Sequence, residues 1–369
     1  MKVDVIARTA RAAVFEAPNE PFVMREYPLQ PAGAGEVLVR VRMATICRSD
    51  IHSWEGKRHN PCPGILGHEV IGTIEEIGPE VGPDLRGETL RAGDRITWTE
   101  FFFCGKCYYC RVLDMPQKCV ALRKYGHDAS DVAPHFLGGF AEYCYVQPGT
   151  GILRLPDNLS DEEATPLNCG VATMVAVTEA AAVGVGDAVV VQGLGLLGLY
   201  GVALARAKGA RLVIGLDAVG DRLEMARKVG ADVVLDITKM DAGALVQAIR
   251  DACPIDGADA AIEVCGEPAA IPVGLRMLRK GARYVTAGIV FPYANVTLDA
   301  NLILSREITM RGVHNYHPRH LIQALDFVRR CRGVYPFNDI VDARFKLDEL
   351  DTAFETAAAR RVLRAAIVP

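Results

Sequence analysis

The chain has 369 residues, of which 50% are hydrophobic and 23% are charged. This balance is typical of a folded protein with one or two domains and excludes a disordered or collagen-like chain. The formal net charge is only −4, from 41 basic and 45 acidic residues, so neither nucleic acid nor an anionic membrane surface is an expected partner.

The segment at residues 1–9 carries charged side chains where the apolar core of a signal peptide would have to be. The most apolar stretch, residues 188–205, is interrupted by Gln192 and by several glycines, and it is too short to span a membrane. We therefore expect a cytoplasmic protein with no membrane segment.

Residues 1–150 are predicted to form a mostly β unit. Four segments are rich in Val, Ile and aromatic residues and are bounded by Gly, Pro or Asp, as strands usually are: residues 12–15, 36–43, 70–77 and 140–146. No long helical periodicity separates them, which favours turns rather than helices as the connections.

From about residue 159, short apolar runs alternate with helical segments. The strands predicted here cover residues 188–191, 212–216, 233–235, 258–262 and 284–287. The helices predicted include residues 222–229, 242–252, 318–332 and 348–360, with a last strand at residues 363–368. Alternation of this kind is typical of βαβ units on a doubly wound parallel sheet.

A glycine-rich turn lies between the first strand of this region and the helix that follows it. Its sequence from Gly193 through Gly195 to Gly198 matches GxGxxG in the strand–turn–helix context of a dinucleotide site. Gly193 would allow the tight turn, and Gly195 would let a pyrophosphate approach the helix N-terminus. Asp217, after the next strand, would bind both ribose hydroxyls and repel a 2′-phosphate, which favours NAD. A turn without any ligand is the alternative.

The chain contains 11 cysteines, an odd number that favours metal binding over a disulfide framework. Four of them share the spacing C-x2-C-x2-C-x8-C: Cys104, Cys107, Cys110 and Cys119. Four thiolates complete a tetrahedral zinc site and leave no open position, so this loop predicts a structural zinc ion. A zinc ribbon that binds partners is the alternative.

A second set of metal-ligating residues is spread along the chain, and spacing alone cannot join its members. It consists of Cys47, of His68 within Gly-His-Glu, and of Cys169. Two cysteines and one histidine leave the fourth position of a zinc ion open, as a catalytic site requires.

Together and in order, these motifs resemble those of the zinc-dependent medium-chain alcohol dehydrogenases over essentially the whole chain. The resemblance rests on the hexapeptide CRSDIH from residue 47, on Gly-His-Glu from residue 67, on the four-cysteine loop, on Cys169-Gly170 and on residues 193–217. It implies a Rossmann cofactor domain at residues 171–313. It also implies a mostly-β, GroES-like catalytic domain with both zinc sites at residues 1–170 and 314–369.

The resemblance further implies an NAD-linked enzyme that reversibly oxidises a small alcohol to an aldehyde or ketone. Such an enzyme would bind two zinc ions per chain, and Cys47, His68 and Cys169 would hold the catalytic one. It would form a homodimer or homotetramer, with the sheets joined through a strand near residues 308–313.

The resemblance assigns roles to single residues around the catalytic zinc. Ser49 is expected to take the proton of the alcohol, and His52 to pass that proton to solvent. Asp50 is expected to orient His68, and Glu69 to lie behind the metal.

Three arginines are expected by the same resemblance to contribute to cofactor binding: Arg48, Arg222 and Arg364. The four-cysteine loop departs from the family pattern at one place. Eight residues separate Cys110 from Cys119, where seven are usual. We expect the loop to absorb the extra residue.

The substrate pocket is expected, again by resemblance, to be lined by Trp54, by residues 98–103 and by the segment around Val290. The aromatic residues among them favour an apolar or cyclic secondary alcohol. A polyol or a hydroxyphosphonate is the alternative. Residues 124–127, 141–149 and 312–316 resemble a branch associated with phosphonate metabolism, and five cations could bind an anion: Lys57, Arg58, Arg123, Lys124 and His127.

Two other classes of protein were weighed. A zinc-free reductase of the same superfamily would leave positions 47 and 68 vacant, and both are filled. A non-catalytic zinc-binding and nucleotide-binding scaffold would give no reason for Ser49 and His52 beside a second metal set.

Overall fold

A computed structural model describes residues 8–292 and 294–369. The expectation that no signal peptide is present depends on residues 1–9, of which residues 1–7 lie outside the described ones. Among the described residues, no helix is both long and apolar enough to cross a bilayer.

The chain divides into two compact units. The first unit contains the residues up to Cys169, His317–Asp326 and Phe337–Pro369. The second contains Gly170–Tyr316 and Phe327–Pro336. The predicted division differs at three places, because Gly170, residues 314–316 and the segment Phe327–Pro336 lie in the second unit.

The strands of the described chain are, in order, β1 (Thr9–Val14), β2 (Val23–Pro28), β3 (Val37–Thr45), β4 (Glu69–Ile77), β5 (Arg95–Phe102), β6 (Arg123–Lys124), β7 (Tyr143–Val146), β8 (Thr150–Arg154), β9 (Ala188–Gln192), β10 (Leu212–Asp217), β11 (Val233–Asp236), β12 (Ala258–Glu263), β13 (Leu278–Thr286), β14 (Thr309–Gly312), β15 (Ala343–Lys346) and β16 (Ala365–Val368).

The α-helices are α1 (Arg48–Trp54), α2 (Tyr108–Arg111), α3 (Asp161–Ala164), α4 (Gly170–Ala180), α5 (Leu196–Ala207), α6 (Gly220–Lys228), α7 (Ala242–Ala252), α8 (Ala270–Met277), α9 (Ala300–Arg306), α10 (Pro318–Cys331) and α11 (Leu350–Ala358). Short 3₁₀ helices cover Pro116–Lys118, Thr165–Asn168, Ile237–Lys239, Phe337–Asp339 and Leu347–Glu349.

The first unit is built on a mixed sheet with the strand order β15-β16-β3-β4-β5-β6, to which β7 adds beside β3 and β8 beside β5. Strand β3 alternates buried and exposed residues at Val39–Met43, as a sheet with one face on a core requires. Its core contains the rings of Trp98, Phe140 and Phe354. The predicted mostly-β unit is confirmed.

The register of β3 against its neighbours gathers the predicted metal ligands. In the antiparallel pair β3–β4, Thr45 lies opposite Glu69, so the end of β3 and the beginning of β4 are side by side. Cys47 follows the first strand and His68 precedes the second, and the pairing therefore brings them together. Strand β16 pairs with the same end of β3, where Ala366 lies opposite Thr45.

The second unit is a six-stranded parallel sheet with the order β11-β10-β9-β12-β13-β14. Strands β10 and β11 lie on one side of β9, and β12, β13 and β14 lie on the other. The order therefore reverses at β9, and ligands of doubly wound folds bind at the end of the strand where this happens. The predicted α/β Rossmann class is confirmed. Strand β13 begins at Leu278, six residues earlier than the predicted residue 284. The prediction was late because the pair Lys280-Gly281 is typical of a turn, whereas the structure includes it in the strand.

Candidate metal and cofactor sites

The structure brings Cys47, His68, Glu69 and Cys169 into one group, whose ligand atoms all lie within 4.8 Å of one another. All four residues are buried, and Glu69 is fully so. Tetrahedral zinc with bonds of about 2.0–2.3 Å separates its ligand atoms by about 3.3–3.8 Å, so a group gathered within 4.8 Å is compatible with one shared zinc ion. Thiolate and imidazole are also the donors that zinc prefers.

Asp50 fixes the orientation of His68. Its carboxylate lies 3.2 Å from Nδ1 of His68 and accepts a hydrogen bond of 2.8 Å from the backbone N–H of Cys47. A carboxylate on Nδ1 leaves Nε2 as the metal-binding nitrogen, which is the usual arrangement around protein-bound zinc. The Asn168 amide donates to the carbonyl oxygen of His68 at 2.9 Å and links the short helix before Cys169 to the group.

The two cysteines of the group have pKa values that are shifted in opposite directions. The pKa of the Cys47 thiol lies well below its ordinary value, first because Cys169 bonds to it and then because His68 is near. The pKa of the Cys169 thiol lies well above its ordinary value because of the same bond, burial and the Glu100 carboxylate. A cation in the group would favour the thiolate form of both.

Glu69 is held in the group by two hydrogen bonds. Its carboxylate accepts hydrogen bonds from the Thr45 hydroxyl and, at 2.8 Å, from Nη2 of Arg364. Burial raises its pKa to about 7, although the Arg364 charge opposes that shift. Arg364 also donates to the carbonyl oxygen of Ile46 at 2.6 Å. The structure thus gives Arg364 contacts in the metal group, and its expected role at the cofactor stays a prediction.

Helix α1 presents the remaining predicted residues next to His68. The Ser49 hydroxyl lies 3.5 Å from Nε2 of His68, on the metal-binding side of the imidazole. His52, one turn further along, is buried, and Nδ1 lies 3.7 Å from a carboxylate oxygen of Glu55. Burial and then the Arg48 charge lower the pKa of His52 from 6.5. Arg48 itself is exposed at the start of the helix.

The four-cysteine loop forms a second group, separate from the first. The sulfur atoms of Cys104, Cys107, Cys110 and Cys119 lie within 4.8 Å of one another, and three of their separations are 3.4, 3.4 and 3.9 Å. A tetrahedral zinc ion with bonds of about 2.3 Å would separate its sulfur ligands by about 3.8 Å.

Backbone N–H groups also point at this loop's sulfurs, as they do around bound metals. Cys104 and Ala121 donate to the Cys119 sulfur at 3.3 and 3.4 Å. Hydrogen bonds from the backbone of Val120 and Cys110 lower the pKa of Cys107 to about 6. The interval before Cys119 contains the short helix Pro116–Lys118, and the four sulfur atoms are gathered despite the eight-residue spacing.

The glycine-rich turn in the second unit has the conformation that a pyrophosphate site needs. Gly193 has φ +94°, and a Cβ there would lie 2.6 Å from the Cα of Cys265. A Cβ on Gly198 would lie 1.8 Å from the carbonyl oxygen of Gly193. Packing therefore requires both of these glycines. By contrast, a Cβ on Gly195 would meet open space, so packing within the protein does not require glycine at this position. A pyrophosphate that approaches the backbone closely would require it.

Asp217 ends β10 beside this turn and is buried. One carboxylate oxygen accepts a hydrogen bond of 2.7 Å from the backbone N–H of Leu194, and the other accepts from Ala218 and Val219. Arg222 lies 3.9 Å from the same carboxylate. These residues fit an adenosine ribose at the end of the strand.

The aromatic residues behind the expectation of an apolar substrate belong mostly to the core. Trp98 and Phe102 pack against Tyr125, with ring centroids 6.0 and 5.4 Å apart. Trp54 packs on Phe354 at 5.9 Å. Their rings are held by other side chains and do not by themselves define an apolar pocket.

The five predicted cations separate into two sets. Lys57 pairs with Glu55 at 2.9 Å, and Arg123 pairs with Asp128 at 3.2 Å. The other three basic residues come close to the metal group, where they gather with Asn60, which sequence reasoning missed, and with Glu100, which lies in the predicted lining segment 98–103: Arg58, Lys124 and His127.

His127 anchors this second set. Its ring stacks on His68 with centroids 5.8 Å apart, and its Nδ1 bonds to Asn60. Burial, followed by the Arg58 charge, lowers the pKa of His127 well below 6.5. Asn60 stands among turn-forming residues, so no spacing signal pointed to it. Glu100 lies within residues 98–103, which the resemblance placed at the pocket for their aromatic side chains and not for this carboxylate.

Comparison with known proteins follows the same division. A family model described as an alcohol dehydrogenase GroES-like domain matches residues 33–157, and one described as a zinc-binding dehydrogenase matches residues 197–330. The 5-exo-hydroxycamphor dehydrogenase of Pseudomonas putida is 30% identical over 364 residues, covering 97% of this chain and 98% of that protein.

Two further relatives extend the comparison. An L-threonine 3-dehydrogenase of Pyrococcus horikoshii is 33% identical over 346 residues, or 90% of this chain and 91% of that protein. The crystal structure of an alcohol dehydrogenase from Thermotoga maritima superimposes with a TM-score of 0.93 at 29% identity, covering 98% of this chain and 100% of that chain.

Proposed function

The chain belongs to the zinc-dependent medium-chain alcohol dehydrogenases, and on that premise we propose that it is an NAD-linked enzyme that interconverts an alcohol and its carbonyl compound. One observation carries the proposal. The group of Cys47, His68 and Cys169 has the Ser49 hydroxyl 3.5 Å from the metal-binding nitrogen of His68. A metal position and a group able to take a proton are therefore adjacent.

Zinc in this group would supply the Lewis acidity that makes a substrate hydroxyl easier to deprotonate, and NAD on the glycine-rich loop would accept the hydride. The residues of the chain would move the proton and orient the metal ligands. Ser49 accepts the hydroxyl proton as it passes its own toward His52. His52 accepts it because its lowered pKa keeps the imidazole neutral at neutral pH. Asp50 keeps Nε2 of His68 facing the metal.

The four-cysteine loop is proposed to hold a second zinc ion with a structural role. All four positions of that ion are filled by sulfur, so no position is left for substrate. Its contribution is expected to be stability, because binding energy at such a site adds to the energy of folding.

The preference for NAD is predicted to depend on Asp217. Asp217→Ala removes both the ribose hydrogen bonds and the charge that repels a 2′-phosphate, so the NAD-to-NADP ratio of kcat/KM should fall by about 10- to 100-fold. Asp217→Asn is the matched variant, because it keeps the size of the side chain and removes only the charge. A natural protein that uses NADP at least as well as NAD would contradict this role.

A homodimer or homotetramer is predicted through the free edge of the parallel sheet. Strand β14 ends the sheet, and its four residues, Thr309–Gly312, are all exposed. An unpaired edge of this kind is a template for pairing with another chain. Light scattering should give a mass of at least two chains, and a strictly monomeric mass at assay concentration would contradict the prediction.

The cytoplasm is the proposed compartment, because none of the 11 cysteines, all of which lie in the described part of the chain, forms a disulfide, as is usual in a reducing environment. An alcohol or carbonyl compound is the proposed partner. The two relatives are named for an apolar alcohol, hydroxycamphor, and for a polar one, threonine. These names agree on the class of reaction and differ in the substrate, so the substrate of this chain has to be inferred from its own residues. The direct test is NADH formation from a panel of alcohols, before and after removal of metal by a chelator.

A further inference from the structure

Glu100 lies at the edge of the metal group without belonging to it. One carboxylate oxygen is 3.7 Å from Nε2 of His68, and the other is 3.8 Å from Nζ of Lys124. Glu100 is only 6% exposed. Because Asp50 occupies Nδ1 of His68, Nε2 is the nitrogen on the metal-binding side, and the Glu100 carboxylate flanks that side.

The strand pairing holds Glu100 in this place. In the pair β5–β6, Phe101 lies opposite Lys124, and the backbone N–H of Tyr125 donates to the carbonyl oxygen of Glu100 at 3.0 Å. The pairing sets the Lys124 ammonium against one oxygen of the carboxylate. The other oxygen faces His68, so Lys124 acts as a positioning residue.

The chemistry of Glu100 is that of a buried hydrogen-bond acceptor. Its ion pair with Lys124 contributes little to stability, because desolvation of buried charges offsets their attraction. Glu100 also adds negative charge near Cys169, which becomes a thiolate when metal binds. A substrate group that donates a hydrogen bond to the carboxylate would add a favourable contact beside the metal group.

Ser49 and Glu100 approach the same nitrogen. The Ser49 hydroxyl is 3.5 Å and the Glu100 carboxylate 3.7 Å from Nε2 of His68. Both side chains therefore lie within the length of a small substrate of the place where its hydroxyl would bind. A carboxylate accepts hydrogen bonds and does not donate them when ionised.

We propose that Glu100 determines substrate specificity by accepting a hydrogen bond from a hydroxyl or ammonium group on the carbon next to the reacting one. This inference rests on the proposed function. It names vicinal diols and 2-amino alcohols as the substrate class, in place of the apolar alcohol that the aromatic residues suggested.

Three probes of nearly equal size test the proposal: butan-2-ol, propane-1,2-diol and 1-aminopropan-2-ol. They differ only in a methyl, hydroxyl or ammonium group at one end. A hydrogen bond to a charged group should raise kcat/KM for at least one polar probe about 10- to 100-fold over butan-2-ol. The hydroxyl and ammonium probes separate the two donor chemistries.

The variant Glu100→Gln should bring that ratio close to one while the zinc content stays unchanged. Glu88→Gln is the matched control, since Glu88 pairs with Arg154 at 2.8 Å on the surface of the same unit. Dissociation constants of the three probes for the zinc-loaded protein without nicotinamide cofactor give a second measurement that does not depend on turnover. They should show the same loss of preference in Glu100→Gln.

Several results would overturn the proposal. An unchanged ratio in Glu100→Gln would show that the carboxylate does not recognise the substrate, and loss of zinc would show that it is a metal ligand. An equal fall in turnover for all three probes would show that Glu100 accepts a proton in the reaction and does not select the substrate. Wild-type oxidation of butan-2-ol without any preference would overturn the inference and leave the proposed function intact.

If the wild type oxidises none of the three probes, their binding constants still decide the role of Glu100, and the proposed function is decided separately by the wider panel of alcohols. Glu100→Asp keeps the charge on a shorter side chain and should retain part of the preference. If Glu100→Gln does not fold, Glu100→Asp takes its place in the comparison.

Discussion

Ser49→Ala is expected to lower turnover of an alcohol by about 10²- to 10⁴-fold at neutral pH, toward the upper end of that range, while zinc stays bound. The Ser49 hydroxyl lies 3.5 Å from the metal-binding nitrogen of His68, where the proton of a substrate hydroxyl would be released. Ser49 is buried, so water does not easily replace its oxygen. Initial rates and zinc content, measured on the same preparation, check the expectation.

His52→Gln should behave differently from Ser49→Ala. His52 serves the solvent end of the relay, where water substitutes in part, so a smaller loss is expected. In the wild type, turnover should fall as pH drops through the pKa of His52, which lies below 6.5, because the protonated imidazole can no longer accept a proton. In His52→Gln the loss relative to the wild type should be largest just above the pKa of His52, where the wild-type imidazole is neutral and external base is scarce. The loss should shrink below that pKa, where the wild-type imidazole is protonated as well, and at high pH, where external base can take the proton.

The pH profiles of the two variants distinguish a relay from a merely structural role. A misfolded site would lose activity at all pH values alike. Near-normal turnover in Ser49→Ala at neutral pH, with zinc retained, would show that the proton leaves by another route.

Cys47→Ser is expected to abolish nearly all activity, by at least about 10³-fold, because the open site can no longer hold zinc with thiolate affinity. Cys107→Ser is the matched variant, since it removes the same atom from the closed group. It should lower the melting temperature and leave turnover per folded molecule close to the wild-type value. Equal effects of the two substitutions on activity would contradict the assignment of one open and one closed site.

The sequence could predict both cysteine-containing groups, but for different reasons. The four-cysteine loop is local, so its spacing alone indicated a metal site. Cys47, His68 and Cys169 are far apart in the chain, and only a family resemblance joined them. The structure supplies the physical reason, because the pairing of Thr45 with Glu69 places the ends of two strands together.

The hydrophobic periodicity of the sequence could not predict the contacts of Glu100 and Arg364. Glu100 stands in a strand rich in aromatic residues, and its neighbours suggested an apolar lining. The tertiary fold instead turns Trp98 and Phe102 into the core and sets the Glu100 carboxylate beside His68. The contact of Arg364 with Glu69 depends on the pairing of β16 with β3, which joins opposite ends of the chain.

The most direct test is to follow zinc content and NAD-dependent alcohol oxidation together while a chelator removes metal. We expect two zinc ions per chain at the start. The first ion lost should take the activity with it, and the second should leave later and lower the stability. One zinc ion per chain in the active protein, or full activity after the first ion has gone, would contradict an open catalytic site at Cys47, His68 and Cys169 beside a closed site in the four-cysteine loop.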